Sequence, residues 1–278
     1  MSILNYTKDE GLAFCPGVFP VLELLATRPH VVREIWLHKD AGQVSASGAC
    51  DGENLPSPGT LRNAGNENNQ SHVRNAGVEK ILTHAAALGI PVHERSAWVE
   101  RLAKKQNCHA VAVLERYAAM PATGRHILLH RCADSGNLGA IMRTATAFGY
   151  GTLALVGGGA DAFGPATLRA SMGAAFRLEL PVFLDFDAYR AAFPAQTVFP
   201  FTLEGRIRPE LAAKDFFAKT PPDDCLTLAF GNEGAGLPPE AASWGTPIRI
   251  PQTPGVDSLN LSVAVGIGAY AFAPALEG

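Results

Sequence analysis

Three short runs hold most of the residues that could act on a ligand. The first, Asp134–Gly149 (DSGNLGAIMRTATAFG), lies where a strand turns into a helix and carries Asn137 and Arg143. Leu138, Ile141, Ala145 and Phe148 form its apolar stripe, and both polar residues fall off that stripe. Taken alone, Arg143 is either a functional cation or a solvated helix charge, and Ser135 or Asn137 is a candidate helix cap. The second run, Leu228–Leu237 (LAFGNEGAGL), sets one acid, Glu233, among three glycines (Gly231, Gly234 and Gly236) after Phe230. Glycines at a strand end let peptide N–H and C=O groups approach a ligand, or simply make a tight turn. The third, Ile248–Asn260 (IRIPQTPGVDSLN), is held extended by Pro251 and Pro254 and brings Ile250, Ser258, Leu259 and Asn260 to the start of the last helix. Ser258 fits the position of a cap, whereas Asn260 is expected one residue inside the helix and is harder to explain that way.

The chemistry open to these residues is narrow. The last histidine is His130, so the C-terminal half cannot build a Ser-His-Asp or Cys-His arrangement within itself. Arginine, glutamate, serine, asparagine, peptide groups or the substrate itself must do the work. No GxxxxGK[ST] run occurs, which argues against a P-loop nucleotidase. Gly157–Ala162 (GGGADA) fits a dinucleotide fingerprint, with Asp185 at a distance suited to a ribose, so a nicotinamide oxidoreductase is an alternative. Against it, the next clear helix begins only near Pro165, too late for the turn to open into a helix N-terminus.

The positioning elements follow from periodicity. A helix from Val18 and a strand over 33–38 come first; then 41–78, rich in Gly, Ser, Asn and Pro, reads as a loop insertion in which RNAG occurs twice. Helix 78–88, a strand near Val92, helix 96–106 and strand 110–114 close a first unit, 1–118. A linker, 119–124, leads to a second unit, 125–278. Here strands at 126–131, 152–156, 178–183, 197–202, 225–230 and 247–250 alternate with helices at 137–148, 165–172, 186–193, 209–217, 238–243 and 259–272. Such alternation implies a largely parallel sheet covered on both faces. Small residues along the last helix, Ala264, Gly266, Gly268 and Ala269, suggest close packing of another backbone, such as one from a second subunit.

A hydrophobic share of 47% against 18% charged residues describes a globular chain able to bury a core without staples. The net charge of −3 gives no general basic footprint, so nucleic acid must be met by a local patch, for which Arg101, Lys104 and Lys105 are candidates. The cysteines (15, 50, 108, 132 and 225) are scattered without zinc-ligand spacing, which predicts reduced thiols, a cytoplasmic location and no metal site. The N-terminus has neither signal- nor transit-peptide character, and the apolar run 261–276 is too short and too interrupted to be read as a membrane span.

In sequence order, NxxAIxRTAxAFG, GNEGxGL and IPxxxxxxSLNxSxA resemble the SpoU (TrmH-like) family of RNA ribose 2′-O-methyltransferases, with Ser135 where the family usually has proline. Pro16–Leu25 and Asn107–Val113 resemble the L30e-like substrate-binding domain that many members carry. The resemblance implies an α/β fold with a trefoil-knotted (SPOUT-type) methyltransferase domain beside a smaller α/β domain. It implies S-adenosylmethionine as cofactor, an RNA substrate (ribosomal rather than transfer RNA) and a homodimer. Carried over by motif position, Phe230, Gly231, Ile250, Pro251, Leu259 and Asn260 line the cofactor site, and Asn137, Arg143, Glu233, Ser258 and Asn260 form the catalytic set. In that set Arg143 holds the RNA phosphate, Asn137 lies near the ribose, Glu233 orients Arg143 or a neighbouring donor, and Ser258 and Asn260 shape the pocket. A non-catalytic RNA-binding protein of the same fold is the other alternative.

Overall fold

The computed structural model describes residues 11–42, 76–103, 108–118, 123–219, 225–253, 255 and 258–273. Most of the expected insertion (43–75), Lys104, Lys105, most of the linker, Cys50 and Pro254 lie outside them.

Two sheets are formed among the described residues. The first contains β1 (Leu12–Pro16), β2 (Val32–Leu37), β3 (Val92–Glu94) and β4 (Ala110–Glu115), in the order β1-β4-β2-β3. β4 runs antiparallel to β1 and β2, and β3 is parallel to β2. Helices α1 (Val18–Thr27), α2 (Ala76–Leu88) and α3 (Ser96–Ala103) belong to this half. β1 is an element that periodicity did not announce. It is only five residues, and its edge position is fixed by pairing with β4 almost 100 residues later, a long-range contact that a local pattern does not carry.

The second sheet is wholly parallel, with the order β7-β6-β5-β9-β8. Its strands are β5 (Arg125–His130), β6 (Thr152–Val156), β7 (Val182–Phe183), β8 (Thr197–Pro200) and β9 (Leu226–Phe230), joined by α4 (Ser135–Ala147), α5 (Pro165–Ala170), α6 (Phe186–Ala192) and α7 (Pro209–Lys219), with α8 (Leu261–Ala271) last. Every residue of β6 and β9 is buried, as a parallel sheet covered on both faces requires. β5 sends the chain to β6 on one side and is flanked by β9 on the other. The winding therefore reverses between β5 and β9, and such a switch point opens a crevice at the strands' C-terminal ends.

Two expected strands shrink. Only Val182–Phe183 survives of 178–183, with Glu179 making a lone bridge to Thr152, because Pro181 cannot donate to the ladder. No strand forms over 247–250, where Pro247 and Pro251 flank the segment. Ile248 instead bridges both Phe201 and Ile207. The Ile248 amide donates to the Pro200 carbonyl (2.8 Å), the Ile248 carbonyl accepts from the Thr202 amide (2.9 Å), and the Arg249 amide donates to the Ile207 carbonyl (2.9 Å). Gly205 makes room for this crossing, since a Cβ there would lie 2.4 Å from the Ile248 carbonyl carbon.

One apolar core runs through both halves, joining Cys15, Val21 and Leu24 to Ile127, Ile141 and Phe176. Polar contacts tie the same junction. Arg116 pairs bidentately with Asp161 (2.6 and 3.1 Å), and Arg28 reaches the Phe176 carbonyl (3.0 Å) and Glu179 (2.7 Å). In α8, the small size of Gly268 has its reason within the chain, because a Cβ there would meet the rings of Phe201 and Phe230 at 2.7 and 2.9 Å. Gly266 faces open space, beside exposed Val263 and Tyr270. No helix among the described residues is long and apolar enough to cross a membrane.

Candidate active site

At the crevice between β5 and β9 the loops that follow the two strands meet through one carboxylate. Glu233 Oε1 accepts from the Asp134 amide (3.2 Å) and Asn137 Nδ2 (3.2 Å), and Oε2 accepts from the Ala133 amide (3.2 Å) and Asn232 Nδ2 (3.2 Å). Partial burial opposes ionisation of Glu233, but the backbone and Asn137 hydrogen bonds outweigh it and hold the carboxyl below its usual value. The Cys132 thiol lies 3.6 Å from Glu233 Oε1. Burial first, then the Glu233 charge, pushes that thiol up to about 12, so it stays a neutral donor rather than a nucleophile.

Asn137 passes the network on. Its Oδ1 accepts from Asn260 Nδ2 (3.1 Å), and Asn260 Oδ1 in turn accepts from the Ser262 amide (2.9 Å) and hydroxyl (2.7 Å). The capping expectations are thereby corrected. Asp134, not Ser135 or Asn137, caps α4 by accepting from the Asn137 amide (2.7 Å). Asn260, not Ser258, caps α8, because that helix starts two residues later than its apolar run suggested. All three motifs thus converge on one chain of hydrogen bonds, Glu233–Asn137–Asn260–Ser262.

The GNEGAG loop is shaped for close approach. The Asn232 amide donates to the Gly236 carbonyl (3.1 Å) and the Gly236 amide to the Asn232 carbonyl (2.9 Å). A Cβ on Gly231 would sit 1.9 Å from the Gly236 carbonyl carbon. Asn232 Oδ1 accepts from the amides of Gly234 (2.9 Å) and Ala235 (3.1 Å), fixing the turn. Beside this loop opens a cavity of 640 Å³. Of the residues expected at the cofactor, Phe230, Gly231, Ile250 and Leu259 line it, as do Glu233 and Ser258 from the catalytic set. Pro251, Asn260, Asn137 and Arg143 are not in its wall. Arg143 is exposed and makes no hydrogen bond or ion pair among the described residues. It lies six positions beyond Asn137 on α4, about 9 Å along the axis. Of the two orienting roles expected for Glu233, the geometry provides the neighbouring donor, Asn137, and not Arg143.

Two residues in this region escaped the sequence reading. Asn232 sits between Gly231 and Glu233, where an Asx turn was a legible signal. Gln252 lines the cavity, and its Oε1 is buried without a hydrogen-bond partner among the described residues. It lies within the third run, but nothing in that pattern singled it out. The dinucleotide reading of GGGADA fails on geometry. The turn leads to α5 only at Pro165, Asp161 is engaged by Arg116, and Asp185 caps α6 by accepting from the Ala188 amide (2.9 Å).

Residues 124–270, just over half of the chain, match the family described as the SpoU rRNA Methylase family. The chain is 31% identical over 193 residues to a 23S rRNA (adenosine(1067)-2′-O)-methyltransferase of Streptomyces laurentii, covering 69% of this chain and 67% of that one. It is 32% identical over 145 residues to an uncharacterized tRNA/rRNA methyltransferase of Synechocystis, covering 52% of this chain and 51% of the relative, so it spans about half of that protein's length. In fold it is similar to the AdoMet-bound rRNA methyltransferase from Sinorhizobium meliloti, with a TM-score of 0.68 and 22% identity over 94% of this chain and 87% of that one.

Proposed function

Because the chain belongs to the SpoU rRNA methylase family, we propose that it is an S-adenosylmethionine-dependent RNA methyltransferase acting on a ribose 2′-hydroxyl, in ribosomal rather than transfer RNA. The observation that carries the reading is the hydrogen-bonded chain Glu233–Asn137–Asn260, which gathers the three motifs at the edge of the cavity. A binding module has no need to join all three.

The cavity suits the cofactor. Its volume of 640 Å³ lies within the range of small-molecule sites. Phe230, Ile250 and Leu259 give apolar walls, Gly231 brings peptide groups close, and the orphaned Gln252 Oε1 calls for a donor from a ligand. Pro251 and Asn260 are not in the wall but sit on the chain between lining residues, Pro251 between Ile250 and Gln252 and Asn260 between Leu259 and Leu261. When bound, S-adenosylmethionine supplies an electrophilic methyl carbon on a sulfonium.

The chain's own residues handle the ribose. A hydroxyl is a poor nucleophile until its proton leaves. Arg143 cannot take that proton, because a guanidinium carries only N–H donors and no acceptor. Without a hydrogen-bond or ion-pair partner among the described residues, it holds the adjacent RNA phosphate bidentately and fixes the ribose, while that phosphate or a water accepts the proton. Asn137 is oriented by Glu233 and Asn260 near the ribose, and Ser258 completes the pocket wall.

The finer architecture belongs to the same proposal. The crossing of 245–249 by the 201–208 loop is read as the trefoil knot, supported by hydrogen bonds from Ile248 and Arg249 to both sides. Residues 1–118, through the first sheet, serve as an L30e-like RNA-binding domain, 119–124 as linker and 125–278 as the catalytic domain. Gly266 and exposed Val263 and Tyr270 give α8 a face for a second subunit in a cytoplasmic homodimer. The test is transfer of labelled methyl from S-adenosylmethionine to unmodified ribosomal RNA. Label in ribose with the wild type and at least a 100-fold lower rate with Arg143→Ala is the expected result. Cofactor binding without transfer to any RNA would favour the non-catalytic RNA-binding alternative.

A further inference from the structure

Arg131 stands at the end of β5 with φ +56°, one of two residues other than glycine with positive φ among the described residues. Side chains other than those of Gly, Asn and Asp seldom adopt this left-handed conformation, and such strain persists where surrounding structure enforces it. The enforcement is visible. The Arg131 amide donates to the Val156 carbonyl (2.9 Å), and its carbonyl accepts from Asn232 Nδ2 (2.8 Å), which also serves Glu233. Arg131 is thus wired to the strand beside it and to the Glu233 loop at once.

The glycine turn after β6 explains where the side chain goes. A Cβ on Gly157 would lie 3.2 Å from Arg131 Cγ and 3.3 Å from its Nε, and one on Gly159 would lie 2.2 Å from the Cys132 carbonyl oxygen. Gly157, Gly158 and Gly159 all have positive φ, and Gly158 has open space around it. The GGG turn is therefore a bed for the Arg131–Cys132 loop. The Arg131 guanidinium has no ion-pair partner among the described residues, and the Gly158 and Gly159 amides make no hydrogen bond there. The Arg131 charge is also felt by His130, whose ring is kept from protonating by burial first and by that charge second.

We infer that Arg131 and the Gly158–Gly159 amides form a second subsite for an RNA backbone phosphate, separate from the one held by Arg143. A guanidinium whose Nε lies along a glycine turn that also carries two unpaired peptide N–H groups makes a phosphate receptor, and the end of β5 places it next to the Glu233 loop. The inference rests on the methyl-transfer reading above and assigns the next contact along the same RNA strand. Arg131 here is a positioning residue, acting on the substrate's backbone and not on the reacting atoms.

The experiment measures binding of transcribed ribosomal RNA across a salt series, with methyl transfer and thermal midpoint, for wild type, Arg131→Gly, Arg131→Lys and Lys214→Ala. Lys214 is an exposed cation on α7 and serves as the charge control. Arg131→Gly should bind RNA about 5- to 10-fold more weakly, with the salt slope reduced by about one counterion, while its thermal midpoint equals or exceeds the wild type because the strain is gone. Arg131→Lys should recover the slope but not the full transfer rate, since it lacks the fork. Lys214→Ala should match the wild type in all three. Unchanged affinity and slope in Arg131→Gly, with an active wild type, would overturn the subsite and leave the methyltransferase reading intact. A wild type that binds RNA but transfers no methyl to it would remove the reading itself, and the subsite as part of it.

Discussion

Asn260 donates through Nδ2 to Asn137 Oδ1 at 3.1 Å across 123 residues of sequence, while its own Oδ1 caps α8 through the Ser262 amide at 2.9 Å. One side chain therefore both starts a helix and holds a site residue. Asn137 cannot turn its amide around, because Glu233 needs its donor and Asn260 its acceptor.

This double role separates two substitutions. Asn260→Asp keeps an oxygen for the cap but sets a carboxylate against Asn137 Oδ1. Stability should stay within about 0.5 kcal/mol of wild type, while methyl transfer falls about 10- to 100-fold, the cost of leaving an acceptor facing an acceptor. Asn260→Ala should lose the activity and about 1 kcal/mol of stability as well. Urea denaturation beside transfer rates checks both. Full activity in Asn260→Asp would show that the Asn137 contact is only structural.

Glu233 gives a pH prediction whose sign is fixed. Its carboxyl is held below the usual value in the folded protein, so its stabilising effect is fully present above the unfolded value of about 4.3. It is lost as pH falls through the lower folded value. Wild type should therefore be more stable than Glu233→Gln at pH 6 and approach it in the most acidic part of a titration between pH 3 and 6. Methyl transfer should show no acid limb from this group at pH 5 or above. A constant stability gap between the two proteins down to pH 3 would contradict the ionised role.

The strongest parts of this arrangement were legible because they are local. β5, β6 and β9 are short apolar runs bounded by turns, and they appear within a residue or so of their expected bounds. Arg143 off the stripe of α4 and Glu233 among glycines were visible as singular polar residues, although only the family resemblance gave them roles. What stayed hidden depends on meetings far apart in sequence. Gln252 gains meaning only when the cavity closes around its Oε1. The cap of α8 shifts to Asn260 because the apolar pattern runs on past the true helix start, Leu259 being spent on the cavity wall. GGGADA reads as a cofactor loop until Arg131 and the Cys132 carbonyl are seen against its glycines.

Gly231 is a steric requirement that can be tested apart from chemistry. A Cβ there would fall 1.9 Å from the Gly236 carbonyl carbon and 2.1 Å from the Leu237 nitrogen, so backbone must move. Gly231→Ala should open the GNEGAG loop, lower stability by about 2 kcal/mol or more, and weaken S-adenosylmethionine binding at least 10-fold by calorimetry. Gly151→Ala, with no atom within 4 Å of its added Cβ, should change stability by less than about 0.5 kcal/mol. Equal cofactor affinity in Gly231→Ala would remove this loop from the proposed cofactor site.

Arg116 and Asp161 test how the two sheets depend on one another. The pair is bidentate at 2.6 and 3.1 Å with side chains 18% and 17% exposed, and Arg116 Nε also reaches the Leu12 carbonyl at 3.2 Å. The arginine thereby fastens β1 of the first sheet to the turn after β6 of the second. Asp161 Oδ1 further accepts from the Phe163 amide at 3.1 Å, and its carbonyl accepts from Thr167 Oγ1 at 2.8 Å, so the same residue shapes the entry to α5. Asp161→Ala takes the carboxylate away from a largely enclosed guanidinium, leaving it the Leu12 carbonyl, and frees the Phe163 amide. It should cost about 2–3 kcal/mol in urea denaturation, and Arg116→Lys should cost less, keeping the charge but losing the fork. The pair also sits at the far end of the turn that beds Arg131. Asp161→Ala should therefore weaken RNA binding along with stability, although neither Arg116 nor Asp161 is assigned a contact with RNA. A loss of stability with RNA affinity unchanged would show that the turn keeps its shape without the first sheet's help.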